Sequence, residues 1–222
     1  MSDRSYRVLL WGLALLGLCA DQATKYGVFA WLHGVESHTY AVFQTEPVAR
    51  HLAAVPDDDA VERFQQRGFF LEAAFEHNGD VSGRPVPHVN QGALFGFLRE
   101  HKTAANGTFA LISLLAAAAI AVWSFQKGTA GDRWLCVSLG LILGGTLGNL
   151  YDRLVFNGVR DFLHWNYLFD WPVFNVADCC LVVGASLLLL QAFLVPHNKS
   201  APKQGEEQLA GVGCGAETRL PV

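Results

Sequence analysis

The run WLCVSLGLILGGTLGNLYDRLVFNGVRDFLHWNYLFDWPVFNVAD, residues 134–178, decides how this chain is built. It opens with an apolar stretch dotted with small residues. It then turns through an amide, an acid and a base (Asn149, Asp152, Arg153), an aromatic loop, and a second acid-bearing segment. Asp178 stands at the head of a further apolar stretch reaching Val195. A carboxylate at the edge of a bilayer is costly, so an ionisable residue there is a functional-site hypothesis by default. Asp161, in Val159-Arg-Asp-Phe162, has no evident packing reason for its charge either.

Outward from this run, three more stretches approach the roughly 20 residues that cross about 30 Å of hydrocarbon. The four candidate spans are Val8–Leu32, Thr103–Phe125, Trp134–Tyr151 and Val173–Val195. Of the 222 residues 51% are hydrophobic and 16% charged, whereas a soluble domain carries roughly 25% charged residues. The expected class is therefore an all-α polytopic membrane protein with four transmembrane helices and a small β-containing extracytoplasmic platform. A net charge of −4, spread along the chain, gives no footprint for nucleic acid.

The chain divides into four parts: 1–32, the N-terminus and first span; 33–102, an extracytoplasmic region with a small sheet and an extended insertion; 103–196, spans two to four with the catalytic loop; and 197–222, a disordered cytoplasmic tail. Arg4 and Arg7 before Val8–Ala20 mimic a secretory signal, but apolar character resumes through Leu32, so an uncleaved span is expected. Thr39–Phe43 and Phe69–Phe75 read as strands and Asp58–Gln66 as a helical turn. Basic residues in the short flanks (Arg4, Arg7; Lys127, Arg133; Lys199, Lys203) put both termini on the cytoplasmic side. Phe69, Phe70 and Phe75 are expected to rest on the membrane interface, with Trp165, Tyr167, Phe169 and Trp171 as an aromatic belt.

Cys19, Cys136, Cys179, Cys180 and Cys214 show no metal spacing and read as small buried hydrophobes, and the eight histidines form no helix-face pair. No metal or cofactor is expected. Polar residues instead converge in depth. Asn149, Asp152 and Arg153 occupy i, i+3 and i+4 near the outer end of the third span, and Asn175 and Asp178 share a face at the start of the fourth. Asp21 and Lys25, at i and i+4, lie in the outer half of the first. Plainer readings compete: Asp21–Lys25 as an anchoring ion pair, Asp178 as a helix cap, the two asparagines as interhelical bridges, and Gly144, Gly145 and Gly148 as close-packing positions. On residue pattern alone, Asp152 and Asp161 are equal candidates to partner Asp178.

Five runs carry a more specific message: Asp21-Gln-Ala-Thr-Lys25, Asn90-Gln-Gly-Ala-Leu-Phe-Gly96, Gly144 to Arg153, Val159-Arg-Asp-Phe162 and Phe174-Asn-Val-Ala-Asp178. In this order they resemble the lipoprotein signal peptidase (signal peptidase II) family. The resemblance covers residues 5–32 and 90–196. It implies a membrane aspartyl endopeptidase that cleaves before the diacylglyceryl-cysteine of a prolipoprotein, and it chooses Asp161 with Asp178 as the catalytic pair. It assigns Asp21, Lys25, Asn90, Gly92, Asn149, Asp152, Arg153 and Asn175 to substrate-binding or supporting places. Leu94 stands where the family has a small residue, and the region before Asn90 is longer than the family's. The implied partners are lipid-modified prolipoproteins and membrane lipid, the implied state a monomer. A four-span transporter or a non-catalytic lipid-binding protein is the rival class; a transporter requires a polar path to the cytoplasmic side.

Overall fold

The computed structural model describes residues 5–45, 67–76, 86–91 and 102–194. Four long helices dominate: α1 (Arg7–His33), α2 (Lys102–Ser124), α4 (Arg133–Phe156) and α5 (Val176–Leu194), with the short α3 (Lys127–Gly131) in the connector. Each long helix is of sufficient length and apolarity to cross a membrane, and the protein is a polytopic membrane protein with four spans. The helix ends fall within a few residues of the expected spans. The third differs most: it continues past Tyr151 to Phe156, with Asp152 ion-paired to Lys25 and Arg160 and Arg153 lying over the Phe109 ring.

Helix α4 is the hub, with α1, α2 and α5 all packed on it, and most of it is buried. Glycine makes this possible. A Cβ on Gly140 would come within 2.7 Å of the Leu10 carbonyl oxygen of α1, and one on Gly148 within 2.6 Å of Asp21 Oδ2. Both lie below any real contact distance, so only glycine lets the backbones approach this closely. A Cβ on Gly144 would come within 2.9 Å of the Ala14 carbonyl oxygen and one on Gly145 would run into the Ala177 carbonyl oxygen, so the close-packing reading of Gly144, Gly145 and Gly148 holds. Away from the acids, Leu10, Ala14, Ala117, Ile120, Leu139 and Leu143 fill the bundle with apolar side chains. At that same end Arg7 Nε and Nη2 donate to the carbonyls of Ser124 (3.1 Å) and Phe125 (2.6 Å), satisfying the free acceptors at the end of α2.

The other end of the bundle carries a three-stranded antiparallel sheet in the order β1 (Thr39–Gln44), β2 (Gly68–Glu72), β5 (Leu163–Trp165). A second, two-stranded sheet pairs β3 (Phe75–Glu76) with β4 (Val86–Pro87). The third strand, β5, comes from within the aromatic loop, which the sequence presents only as a connection. Phe69 pairs with Trp165, Phe70 with His164 and Leu71 with Leu163. Phe29 and Leu32 of α1 pack with Ala73 and Phe162, fastening the sheet to the helices.

Two expectations need correction. Phe70 is 3% exposed and Phe75 packs edge-on against Phe29, so both point into the protein rather than onto the interface. In the sheet and the aromatic loop the exposed aromatics among the described residues are Tyr40, Phe43, Tyr167, Phe169 and Trp171. Strand alternation puts Phe70 on the opposite face of β2 from Leu71, which packs with Phe29 and Leu32 of α1. Among the cysteines, Cys136 is buried but Cys19 and Cys179 are exposed on the helix surface, where an apolar thiol suits lipid as well as a core. Gly92, Leu94, Asp58–Gln66, Cys214 and the tail 197–222 lie outside the described residues.

The sheet has an ionic clasp. His164 Nδ1 lies 2.8 Å from Glu72 Oε1, and its Nε2 lies 2.8 Å from Asp170 Oδ1. Burial disfavours the imidazolium, but the hydrogen bonds to Asp170 and Glu72 outweigh it and hold the ring's pKa above its ordinary value. The folded state therefore binds the proton more tightly than the unfolded chain. The clasp contributes fully below about pH 6.5, the unfolded histidine value, and its contribution is lost as pH rises through the folded value. Amide hydrogen exchange across residues 68–72 and 163–165 is expected to quicken between pH 6 and pH 8, after correction for the intrinsic rate. His164→Asn should abolish that difference, and equal corrected protection at both pH values in the wild type would contradict the clasp.

Candidate active site

At the sheet end α1, α4 and α5, the loop after α4 and the segment at Asn90 deliver polar side chains to one place, and most of them are buried. The framework is ionic. Lys25 Nζ lies 2.8 Å from Asp21 Oδ2, 3.3 Å from Asp152 Oδ2 and 3.2 Å from Asn149 Oδ1, with all three charged side chains fully buried. Asp21 and Lys25 meet because i and i+4 stack on one helix face. Gln22 adds donors: its Nε2 reaches Asp21 Oδ2 (3.0 Å), the Gly148 carbonyl (3.1 Å) and Asp152 Oδ1 (3.2 Å).

Each framework carboxylate also holds a backbone N–H. Asp21 Oδ1 accepts from Ala177 (2.9 Å), and Asp152 Oδ2 accepts from Arg160 (2.9 Å). Ala177 and Arg160 are the residues immediately before Asp178 and Asp161. The buried ion cluster thus grips the backbone one step ahead of each of the two acids.

Asp178 and Asp161 sit on the far side of a pair of asparagines. Asn175 caps α5 in a reciprocal arrangement: the Asp178 N–H donates to Asn175 Oδ1 (3.0 Å), and the Asn175 N–H donates to Asp178 Oδ2 (3.2 Å). This is a capping box with Asn and Asp in place of the usual pair. The helix-cap reading of Asp178 is therefore correct, and it does not exhaust the residue's contacts. Asn149 Nδ2 donates to Asp178 Oδ1 (2.8 Å), while Asn175 Nδ2 donates to Asp161 Oδ1 (2.7 Å) and to Asn149 Oδ1 (3.2 Å). Asn90 Nδ2 donates to the other Asp161 oxygen at 3.0 Å. Asn90 is held there by the paired backbone bonds between Asn90 and Val159, at 2.7 and 2.9 Å.

Electrostatics follow from this packing. Burial pushes the Asp161 carboxyl up to about 6, with the charge of Asp178 adding to the rise. Hydrogen bonds from Asn90 and Asn175 and the charge of Lys25 oppose it without cancelling it. Arg153 lies on the same side, feeling the charges of Asp161 and Asp178, its guanidinium carbon 5.2 Å from the Phe109 ring centroid. Its Nε and Nη1 are buried without a hydrogen-bond partner among the described residues. Buried donors are rarely left unpaired, so this pair is directed at a group outside the described residues.

Of the residues singled out from sequence, Asp21, Lys25, Asn90, Asn149, Asp152, Arg153, Asp161, Asn175 and Asp178 converge here; Gly92 is outside the described residues. Asp152 does not pair with its neighbour Arg153; its partners are Lys25, Arg160 and Gln22. Sequence reasoning passed over Gln22 and Arg160. Gln22 lies inside the Asp21–Lys25 run, so its position was the available signal. Arg160 lies inside the run Val159–Phe162, and its place beside Asp161 was the available signal. Among the described residues no group of three or more His, Cys, Asp or Glu side chains is placed to share a metal ion.

Four spans around a glycine-lined hub, a small sheet at one end and an acid pair beneath it define a polytopic membrane protein with a polar site at the bundle's edge. The model for signal peptidase (SPase) II matches residues 84–194, half of the chain, and the chain belongs to that family. A lipoprotein signal peptidase of Pseudomonas aeruginosa is 42% identical over 106 residues, covering 47% of this chain and 62% of that protein. The one from Pseudomonas syringae pv. tomato is 44% identical over 106 residues, covering 47% of this chain and 61% of the relative. That of Rhodopirellula baltica is 43% identical over 133 residues, covering 54% of this chain and 57% of the relative. The chain thus spans less than two thirds of the length of these relatives. Two solved bacterial membrane enzyme structures share the fold. One has a TM-score of 0.61 at 22% identity, covering 93% of this chain and 98% of that one. The other has 0.59 at 21%, covering 88% and 99%.

Removing the central cation tests the framework. Lys25→Met leaves two carboxylates buried beside each other and should cost about 3–5 kcal/mol, the usual penalty for breaking a buried pair. It should appear as a collapsed yield of detergent-solubilised protein and a lowered thermal midpoint. Adding Asp21→Asn should return part of the loss. A wild-type midpoint for Lys25→Met would rule out the framework.

Proposed function

We propose that this chain is an aspartic endopeptidase that removes the signal peptide from diacylglyceryl-modified prolipoproteins, cutting before the lipidated cysteine. The observation that carries the reading is Asn175, whose side chain donates to Asp161 while its backbone and amide oxygen exchange hydrogen bonds with Asp178. One residue thereby links both acids. Family membership supplies the substrate class, since its relatives are named lipoprotein signal peptidases.

In this reading Asp161 and Asp178 share one proton, because two neighbouring carboxyls do not both ionise cheaply. One takes a proton from the attacking water while the other protonates the scissile carbonyl oxygen, and the roles reverse as the amine leaves. The raised carboxyl of Asp161 suits the protonated role. Arg153 Nε and Nη1 are donors left over for a substrate carbonyl. Asp21, Lys25, Asn149 and Asp152 hold the site; Asn90 and Asn175 orient Asp161.

The substrate enters from the lipid with its acyl chains in hydrocarbon. Both termini are cytoplasmic and the acids lie near the outer face of the bacterial inner membrane. The sheet forms part of an outer platform, and the enzyme acts as a monomer. The transporter reading gains no support, since the half of the bundle away from the acids is filled by Leu10, Ala14, Ile120, Leu139 and Leu143.

Asp161→Asn and Asp178→Asn should each abolish cleavage of a purified lipidated precursor while the protein still inserts and purifies. Turnover at the wild-type rate by either variant would refute the acid pair. The wild-type rate should be bell-shaped in pH. Its alkaline limb, where the shared proton is lost, should lie at or above about 6, because a bound apolar substrate dries the site further. A rate that rises without limit through pH 8 would contradict the shared proton.

A further inference from the structure

Arg160 is the largest fully buried side chain of the described residues, 1% exposed, and the catalytic reading above gives it no task. Its contacts all serve one purpose. The backbone N–H and the side chain of Arg160 grip the same carboxylate: N to Asp152 Oδ2 at 2.9 Å, Nε to Oδ2 at 3.2 Å and Nη2 to Oδ1 at 2.9 Å. Nη2 also donates to Gln22 Oε1 of α1 at 2.9 Å. The guanidinium carbon lies 4.2 Å from the centroid of Tyr26 and 4.0 Å from that of Phe156, two rings inclined at 61° to each other. A planar fork matched to a carboxylate and wedged into the angle between two rings is held in one orientation.

We propose that Arg160 is a positioning residue for Asp161, fixing the loop peptide that carries this acid by clamping it to Asp152 of α4 and Gln22 of α1. The inference rests on Asp161 and Asp178 being the catalytic pair. Asp161 belongs to a loop and not to a helix, so nothing regular sets its place relative to Asp178, which α5 holds rigidly. Each of its neighbours is tied to a different element. Val159 pairs with Asn90, Arg160 is held by Asp152, and Phe162 bonds Phe174 and receives Glu72 N–H. Only the Arg160 tie is built from a charged side chain. Neutralising Asp152 would not require it, since Lys25 already stands 3.3 Å from that carboxylate.

The test uses the full-length, detergent-purified protein with a lipidated precursor, comparing wild type, Arg160→Met, Arg160→Lys, Asp152→Asn and the Arg160→Met/Asp152→Asn pair. A misplacement of about 1 Å costs on the order of 100-fold in rate, so Arg160→Met should lose about 10- to 100-fold in kcat with KM unchanged. Arg160→Lys should recover part of it, since an ammonium keeps the charge but not the fork. Because Arg160 acts through Asp152, the double variant should be no slower than the slower single one. A wild-type kcat in Arg160→Met, a loss confined to KM, or losses that multiply in the double variant would each overturn the proposal. If Arg160→Met cannot be purified, Arg160→Lys decides: a full wild-type kcat overturns the clamp, and a lowered kcat at constant KM supports it. Hydrogen exchange of residues 158–163 gives a readout independent of cleavage. It should accelerate in the Arg160 variants while the helices stay protected, and unchanged exchange overturns the clamp even if the wild type cleaves nothing. A wild type that does not cleave would refute the peptidase reading and leave the exchange result to judge Arg160.

Discussion

The ammonium of Lys25, buried between the carboxylates of Asp21 and Asp152, is the contact on which the rest of the site depends. Removing such charges from water costs several kcal/mol per ion, and the cost is offset only when every lone pair and proton finds a partner. Here the remaining acceptor sites of the two acids are filled by the N–H groups of Ala177 and Arg160, by Gln22, and by the Arg160 guanidinium. The partners that make the burial tolerable are also the groups that fix the backbone ahead of Asp178 and Asp161. Stability and active-site geometry thus draw on the same hydrogen bonds.

The ion cluster needs the helices close together, and that depends on side chains being absent. Gly148 lets Asp21 lie against α4, and Gly140 lets α1 cross it farther down. Larger residues there would push α1 outward and separate Lys25 from Asp152 and Asn149. The apolar filling of the opposite half of the bundle does the complementary work, holding the helices without competing for the polar groups.

The architecture was legible because crossing a bilayer imposes length and apolarity that few other segments satisfy. The clustering of acids and amides was legible because helical spacing fixes which residues share a face. Asp21 with Lys25, and Asn175 with Asp178, could be paired from numbers alone. What escaped was set by tertiary pairing. β5 has three residues and exists because β2 lies beside it. Alternation sets Phe70 and Leu71 on opposite faces of β2 but does not say that both faces are covered. Arg160 reaches Asp152, eight residues back, only because Asn157 takes a left-handed conformation (φ 57°) and folds the chain over the end of α4. No periodicity announces such a contact. The choice of Asp161 over Asp152 likewise came from family resemblance; in the structure Asp152 lies among cations and Asp161 among neutral amides.

The reciprocal bonds between Asn175 and Asp178 have an evolutionary corollary. A descendant that had given up chemistry altogether would still keep the acid at 178, since the start of its last helix would fray without it. Among the described residues nothing comparable protects 161, whose carboxylate closes no helix and accepts from the neutral amides of Asn90 and Asn175. Drift at 161 with retention at 178 would therefore be the signature of a dead homologue, and surveys that score both positions equally would overlook it.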